Sequence, residues 1–424
     1  MAFVSRVLMP FAAGLYLSFL FRVINALIAS HLSEDLGIGA AGLGTMTSIF
    51  FLAFAASQLV VGKLLDRFGP RRVQAGMLLI AALGVGLFSI GRSLWLLTLA
   101  RALLAIGVSA SMSSGVKAIV SSLPKERISL ANGWMLAFGA LGAISATGPA
   151  NAVMQWMDWR GLLGLLALLT LAVSALIYFV VPESQSSARP GSTIVRMPLR
   201  QIYSNRDFLC IALVNSLSIA VPWAMQSLWA APWLKEVNGY DHPMIVNVLF
   251  VMSCTLCAGS MLFGSVADRL GVRGIATQTV FGVAVAALLA VEILILSSAP
   301  LPAYVLWGML SLFGGLPALG FAIMSELFTK EIIGRISSAL VMMNFGITFF
   351  VQSGMGFILS LWPHPSVGPT PRIAFEIAFA APCALQVMAF AWFLWRGASR
   401  RKATAQALWL RTAAVEGDSE ILPP

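Results

Sequence analysis

The sequence predicts an all-α membrane protein whose twelve transmembrane helices form two pseudo-symmetric bundles of six. Three observations lead to this prediction. Hydrophobic residues make up 59% of the 424 residues and charged residues only 10%, a composition far from that of water-soluble domains. Apolar stretches of about 20 residues recur along the chain, and each can cross a hydrocarbon core as a helix. The two halves also carry a similar short motif at equivalent places.

Twelve apolar segments account for most of the chain. The predicted spans are 7–30, 40–62, 73–92, 94–122, 128–153, 159–181, 207–234, 244–267, 274–297, 302–326, 333–361 and 372–395. The polar stretch 182–206 contains "PESQSSARPGS" and predicts a linker between the sixth and seventh spans. Residues 1–181 and 207–395 are therefore the two predicted bundles, and 396–424 form a tail.

Basic residues are distributed unequally between the two sides of the predicted bundles. Of the 27 Lys and Arg residues, 20 lie on the side of the chain termini and the linker, and four lie on the opposite side. Because cytoplasmic loops are rich in Lys and Arg, this places both termini in the cytoplasm and requires an even number of spans. The topology also explains the net charge of +10, so the charge does not indicate nucleic-acid binding.

A repeated motif follows the second span of each half. "GKLLDRFGPRRV" at 62–73 aligns with "GSVADRLGVRGI" at 264–275. Glycines permit a tight turn, and Asp and Arg can hold neighbouring helix ends in one of two arrangements. We therefore predict a gate here, with surface charges of little energetic value as the alternative. The candidate gating residues are Gly62, Asp66, Arg67, Gly69, Arg71, Asp268, Arg269, Arg273, Glu326 and Arg335.

The first copy of the motif resembles the signature loop of the major facilitator superfamily. Its matching residues are Gly62, Asp66, Arg67, Gly69 and Arg71. The resemblance covers nearly the whole chain, because the repeat, the number of spans and the orientation agree with it. It implies alternating access around a central cavity, lined largely by helices 1, 4, 7 and 10. It further implies a monomer in the lipid bilayer of a bacterial inner membrane, with no cofactor and with a substrate that the fold does not identify.

Three basic residues lie inside predicted spans, namely Arg22, Arg101 and Lys117. An unpaired cation at the bilayer centre costs about 2.5 kcal/mol or more, yet no Asp or Glu occupies the middle of a first-half span. We therefore predict an anionic substrate that binds Arg22, with Arg101 adding positive potential and Asn25 orienting the ligand. Snorkelling or helix-end capping by the cations is the alternative. Lys117 lies nearer the cytoplasm, ~24 Å along the helix from Arg101.

The first span also resembles that of organic-anion symporters of the superfamily. Its sequence "LFRVINALIA" places Asn25 shortly after Arg22 near the middle of helix 1. These symporters commonly have an Asp where Phe21 stands and a coupling Glu where Val108 stands. The resemblance therefore implies anion binding at Arg22, while proton symport does not follow from it. Both protons and a counter-anion stay open as coupling partners.

Polar side chains form stripes on two second-half spans. Asn344, Thr348 and Gln352 recur every fourth residue in the eleventh span, and Asn215, Ser218 and Gln226 lean to one side of the seventh, where Pro222 predicts a kink. Such stripes either line a cavity or bond one helix to another. The complete set of predicted substrate-binding residues is Arg22, Asn25, Arg101, Lys117, Gln226, Trp229, Asn344, Thr348 and Gln352.

Other classes of function are disfavoured by what the sequence lacks. It has no nucleotide-binding loop of the form G-x-x-x-x-G-K-[ST], and no cluster of His, Cys or carboxylates suited to an enzyme. The favoured function is a secondary transporter for a small organic anion. Drug or metabolite efflux is the alternative, although the "ATGPANAV" segment keeps only Gly148 and Pro149 of the antiporter motif. A membrane receptor without transport is a further alternative.

Overall fold

The computed structural model is helical, and the part of the chain that it describes contains no strand. It describes residues 7–123, 125–182, 198–329, 332–362 and 371–418. The first-half helices are α1 Met9–Val23, α2 Asn25–Leu36, α3 Ala40–Ile90, α4 Leu94–Val108, α5 Ser111–Ser122, α6 Lys125–Ser145, α7 Gly148–Val153 and α8 Trp159–Val180. The remaining helices are α9 Leu199–Ser204, α10 Arg206–Ala224, α11 Ala230–Glu236, α12 His242–Val272, α13 Thr277–Leu296, α14 Ala303–Leu312, α15 Pro317–Leu327, α16 Ile333–Ser360 and α17 Arg372–Asp418.

Polar residues at the helix starts explain several of these boundaries. The Ser93 side chain accepts from the Leu96 amide ahead of α4, and Asp158 accepts from the Gly161 amide ahead of α8. Asn205 accepts from two amides at the start of α10. Each cap satisfies amide groups that have no partner within the helix, so the polar breaks between apolar segments fix where the next helix begins.

Nine described helical segments are long and apolar enough to cross a membrane, and the bent pair α1 and α2 adds a tenth. At 1.5 Å per residue, the 51 residues of α3 measure about 76 Å, so α3 covers the predicted second and third spans. Gly69 interrupts it with a φ of 75°, as a glycine at the turn between two spans can. The predicted fifth span corresponds to α6 and α7, which are not among the nine. The count of twelve stays a prediction.

Four predicted spans are interrupted near their middle, and they are spans 1, 4, 7 and 10. Span 1 bends by 46° at Ile24, and span 4 breaks at 109–110. A π-helical turn, Met225–Trp229, follows Pro222 in span 7, which agrees with the predicted kink. A 3-10 turn, Phe313–Gly315, divides span 10. Irregular backbone at membrane depth is tolerated where it is buried in protein or lines a cavity, so these four breaks mark the centre of the molecule.

The two halves meet along spans 2 and 11 at the end of the bundle opposite the chain termini, here called the outer end. Gly44 and Gly356 face each other there, and a Cβ built on Gly44 would lie 3.1 Å from the Gly356 Cα. Nearer the centre, the Ser48 and Ser353 hydroxyls are 2.5 Å apart. Small residues let helix backbones approach closely, so this contact holds the outer ends of the halves together.

Candidate functional site

Arg22 lies in the last turn of α1, buried against two aromatic rings. Only 8% of the residue is exposed, and its guanidinium carbon is 4.6 Å from the Phe19 ring centroid and 4.8 Å from that of Trp223. Phe19 precedes Arg22 on the same helix, whereas Trp223 belongs to α10 of the second half. The described residues offer Arg22 no acidic partner. Ring faces therefore stabilise the cation, and its charge stays uncompensated.

Arg101 reaches the same break in span 1 from α4. Its Nη1 donates to the Phe21 carbonyl at 3.0 Å, next to Arg22 in the chain, and its guanidinium lies 5.0 Å from the Phe50 ring centroid. The residue is 2% exposed, and its buried Nε has no hydrogen-bond partner. The structure thus brings the two predicted cations to one place in the molecule, and neither forms a salt bridge with a described acid.

Asn25 begins α2 immediately after the break in span 1. Its Nδ2 donates to Thr47 Oγ1 at 3.1 Å, and its buried Oδ1 has no hydrogen-bond partner. Asn25 follows Arg22 by three residues, so both lie at the break in span 1. The Asn25 Oδ1 can still accept a hydrogen bond from a ligand.

Glu292 is the third buried charged residue of the described chain, besides Arg22 and Arg101. It lies in α13, where Gln386 of α17 can turn its amide nitrogen to donate to both carboxyl oxygens at 3.2 Å. This pairing bonds α13 to α17 within the second half and does not involve either arginine. The two central cations therefore depend on carbonyls, aromatic faces or a bound anion for compensation.

Lys117 is separate from the two arginines. Its Nζ donates to the Leu65 carbonyl at 2.9 Å and to Asp66 Oδ1 at 2.7 Å, and its side chain is 39% exposed. This geometry groups Lys117 with the predicted gating motif and not with the predicted substrate site. The physical reason is its place near the inner end of span 4, within reach of the loop carboxylate.

The polar stripe of span 11 bonds mainly to span 7. Asn344 Oδ1 accepts from Asn215 Nδ2 at 3.0 Å and from the Ser216 hydroxyl at 2.7 Å, while Thr348 donates to the Asn344 carbonyl. These bonds agree with the prediction that the stripe joins one helix to another. The buried Asn215 Oδ1 and Ser218 Oγ have no hydrogen-bond partner, so some capacity to bind a solute remains.

A second polar group lies nearer the outer end. Gln352 Oε1 accepts from Ser227 at 2.8 Å, and the Gln352 carbonyl accepts from Trp229 Nε1 at 3.1 Å. Gln226 donates to Ser253 at 3.4 Å. The Trp229 ring also packs against the Gly44 and Gly356 contact, so Trp229 contributes to closure of the outer end.

A cavity of about 740 Å³ opens between the halves at the outer end, and Trp229 is one of its lining residues. Its acidic lining residues are Glu34, Glu236 and Asp241, and its basic ones are Lys235 and the histidines His31 and His242. Neither Arg22 nor Arg101 lines it. Since three carboxylates oppose one lysine and two histidines, this cavity is less suited to bind an anion than the arginine pair, which has no carboxylate beside it among the described residues.

The predicted gating motif forms contacts at the inner end of the first half. Asp66 pairs with Lys117, Arg71 lies over the Tyr178 ring at 5.2 Å, and Arg67 lies over the Phe68 ring at 5.1 Å. Gly62 is exposed, and a Cβ there would meet open space, whereas Gly69 supplies the positive φ of the turn. The motif thus joins span 4 to the loop between spans 2 and 3.

The second copy of the motif is described only in part. Arg269 and Arg273 are exposed, and Asp268 lies outside the residues whose side chains are described. Glu326 accepts from Thr277 at 2.5 Å, which joins α15 to the start of α13. Arg335 is exposed in the first turn of α16. The gating role of these residues stays a prediction.

The model of the Major Facilitator Superfamily matches residues 11–351. The chain belongs to this superfamily. A bacterial homologue of the human lysosomal transporter Spinster, solved in an inward-facing and occupied conformation, has a TM-score of 0.73 at 16% identity and covers 94% of this chain and 97% of its own. A D-xylose-proton symporter reaches a TM-score of 0.70 at 13% identity over 93% of this chain and 97% of its own. The family makes the chain a membrane transporter, so the prediction of a transporter and not an enzyme is confirmed.

Three curated relatives of this superfamily member are named as transporters of anions. A probable sulfoacetate transporter of Cupriavidus necator is 23% identical over 60% of this chain and 63% of its own length. A nitrate/nitrite transporter of Picosynechococcus is 28% identical over 27% of this chain and 21% of its own. A probable galactarate/D-glucarate transporter of Pseudomonas putida is 31% identical over 25% of each. Each match spans less than two thirds of the relative.

Sequence reasoning missed the aromatic residues that surround the cations. Phe19, Phe50 and Trp223 contact Arg22 or Arg101, yet none was a predicted site residue. Aromatic residues are common in membrane spans, so only spacing could have singled out Phe19, one helical turn before Arg22. No signal in the sequence connects Trp223 with a residue 201 positions earlier.

Proposed function

We propose that this transporter carries a small organic anion by alternating access, with Arg22 as the principal anion-binding residue. The observation that supports this most directly is the pair of buried guanidiniums, Arg22 and Arg101, that no described carboxylate neutralises. A buried cation without a partner is costly, and an anionic substrate removes that cost on binding. A guanidinium also presents a planar fork that matches carboxylate or sulfonate oxygens.

The names of the relatives agree with this substrate class. Sulfoacetate, galactarate, glucarate, nitrate and nitrite are all anions. They differ in size and in their number of charged groups, so the proposal extends to the anionic group and not to the rest of the substrate. Asn25, with its free Oδ1, is proposed to orient the ligand beside Arg22.

The coupling mode is proposed to be anion exchange or facilitated flux. Val108 occupies the place of the Glu that couples protons in similar symporters, and the buried acid Glu292 pairs with Gln386 away from the arginines. In a carrier whose central cations are compensated only by substrate, the change between inward and outward access is easier with substrate bound than without it. Counterflow of labelled and unlabelled substrate in proteoliposomes measures this preference directly.

Orientation is part of the same proposal, with both termini in the cytoplasm of a bacterial inner membrane. Reporter fusions at Gly397, after the last span, and at Asn238, in an outer-end loop, give a matched pair. We expect cytoplasmic activity at Gly397 and periplasmic activity at Asn238, because 20 of the 27 basic residues lie on the side of Gly397. The opposite pattern would overturn the orientation.

Uptake into proteoliposomes tests the substrate class. Sulfoacetate, galactarate, galactonate and nitrate form the anion panel, with a cationic dye as the drug-like comparison. We expect Arg22→Ala to abolish uptake of the transported anion and Arg22→Lys to restore little, because a point charge replaces a planar fork. Arg92→Ala is the control, since Arg92 is an exposed loop arginine. Wild-type uptake by Arg22→Ala, or transport of the cation alone, would refute the proposal.

A further inference from the structure

Trp223 contacts the proposed anion-binding residue from the opposite half of the protein. The guanidinium of Arg22 lies against the rings of Phe19 and Trp223, within the distance of about 6 Å at which a cation is attracted to a ring face. The cation therefore contacts one ring of each half, Phe19 of the first and Trp223 of the second.

The indole of Trp223 is held by two contacts within the second half, and the second of these leads to the first half. Its Nε1 donates to the Gly314 carbonyl at 3.2 Å, in the 3-10 turn that divides span 10. Its ring meets the edge of Phe345 in span 11, with centroids 5.3 Å apart. Phe345 in turn stacks on Phe54 of the first half at 4.1 Å. The ring is therefore part of the packed interface between the halves, and it cannot follow Arg22 freely if the halves separate.

Trp223 and Arg22 both lie next to irregular backbone. Trp223 lies directly after Pro222 and two residues before the π-helical turn Met225–Trp229. Arg22 lies two residues before the break of span 1 at Ile24. Two interrupted spans thus meet at this contact, and a change in bend of either span would alter the distance between the cation and the ring.

We propose that Trp223 is a positioning residue that holds Arg22 and retards the movement of the empty carrier. This inference rests on the proposed function of Arg22. In the empty carrier the full charge of Arg22 is attracted to the Trp223 ring, and this attraction crosses the interface between the halves. When an anion binds Arg22, it neutralises the charge and weakens the attraction to the ring. The halves then rearrange more easily with substrate bound than without it.

This device has a kinetic signature, because exchange uses only loaded carriers whereas net flux requires the empty carrier to return. Wild-type protein should exchange labelled for unlabelled anion faster than it releases anion into substrate-free buffer. Removal of the ring from residue 223 should speed the empty return and bring the two rates together. A residue that only supports the fold would lower both rates in proportion.

The experiment compares Trp223→Leu with Trp233→Leu in proteoliposomes loaded with the panel anion that the wild type transports fastest. Trp233 is also a buried tryptophan of span 7, but its ring contacts are with Trp307, Phe375 and Phe379 of its own half. We expect the ratio of exchange to net flux to fall about tenfold in Trp223→Leu and to stay within about twofold of wild type in Trp233→Leu. Trp223→Phe, which keeps a smaller ring, should fall between them.

A wild-type ratio near one, or an unchanged ratio in Trp223→Leu and Trp223→Phe at normal protein levels, would overturn the inference. If Trp223→Leu does not fold, Trp223→Phe and Trp223→Tyr decide the question by the same ratio. The proposed function is judged separately. Transport that survives Arg22→Ala refutes the anion site itself, whereas loss in Arg22→Ala together with an unchanged ratio in the Trp223 variants refutes only the role of Trp223.

Discussion

The two halves share a loop motif but place different chemistry at the centre of the molecule. The first half contributes Arg22 and Arg101, which are buried, cationic and without an acidic partner among the described residues. The second half contributes amides and hydroxyls, and many of these bond to one another, as Asn344 does with Asn215 and Ser216. The halves thus share a helical framework and a loop motif, while their polar interiors differ.

This difference separates binding from support. A buried charge without a protein partner can pair with a ligand, whereas an amide whose hydrogen bonds are made within the protein contributes to stability. Substitutions in the two halves should therefore affect different measurements, and the following predictions use that contrast.

The largest effect is expected for Arg101→Met on substrate affinity. Removal of a buried cation near the site should weaken anion binding by about 30-fold or more. Asn344→Leu should change affinity by less than about threefold, because the Oδ1 of Asn344 already accepts two hydrogen bonds within the protein. Titration calorimetry on purified variants measures both. Equal losses in the two variants would break the proposed division between the halves.

The same pair of variants should show the reverse order in stability. Asn344→Leu leaves the donors of Asn215 and Ser216 unpaired, at a cost of about 2–4 kcal/mol in the free energy of unfolding. Arg101→Met removes a buried charge that no acid compensates, so its melting temperature should equal or exceed that of wild type. Thermal unfolding in detergent decides this, and a lower melting temperature for Arg101→Met would count against it.

A smaller effect is expected at the inner end, where Asp66 pairs with Lys117. Asp66→Asn should lower the transport rate several-fold and leave affinity for the anion unchanged, because the pair biases a gate and does not contact the site. Cysteine labelling from each side of the membrane should report an altered balance of conformations. Unaltered flux together with unaltered labelling would remove the gating role.

The smallest effect is expected for Lys117→Gln on affinity. Lys117 was predicted to bind substrate, but its Nζ bonds to Leu65 and Asp66. Exposed ion pairs contribute little, so anion affinity should stay within about twofold of wild type. A loss of affinity comparable to that of Arg22→Ala would instead show that Lys117 takes part in substrate binding as well as in the gate.

Hydropathy and charge were enough to predict the helical spans, the central arginines and the missing counter-charge. They could not predict the break at Ile24, because that stretch contains neither Gly nor Pro. In span 7, by contrast, Pro222 predicted a kink, and an irregular turn follows it. The sequence placed Lys117 nearer the cytoplasm, but it could not show that the Lys117 Nζ bonds to the Leu65 carbonyl and Asp66, because that contact depends on how span 4 packs against span 2. The role of Trp223 depends on packing between halves, which no local pattern encodes.

The hydrogen bond between Arg101 and span 1 tolerates substitution of the residue that accepts it. Arg101 donates to the main-chain carbonyl of Phe21 and not to a side chain, so replacement of the Phe21 side chain leaves the acceptor in place. A substitution at position 21 is therefore compatible with the contact between Arg101 and span 1. The contact thus holds Arg101 against the backbone beside the bend of span 1, whatever side chain stands at position 21.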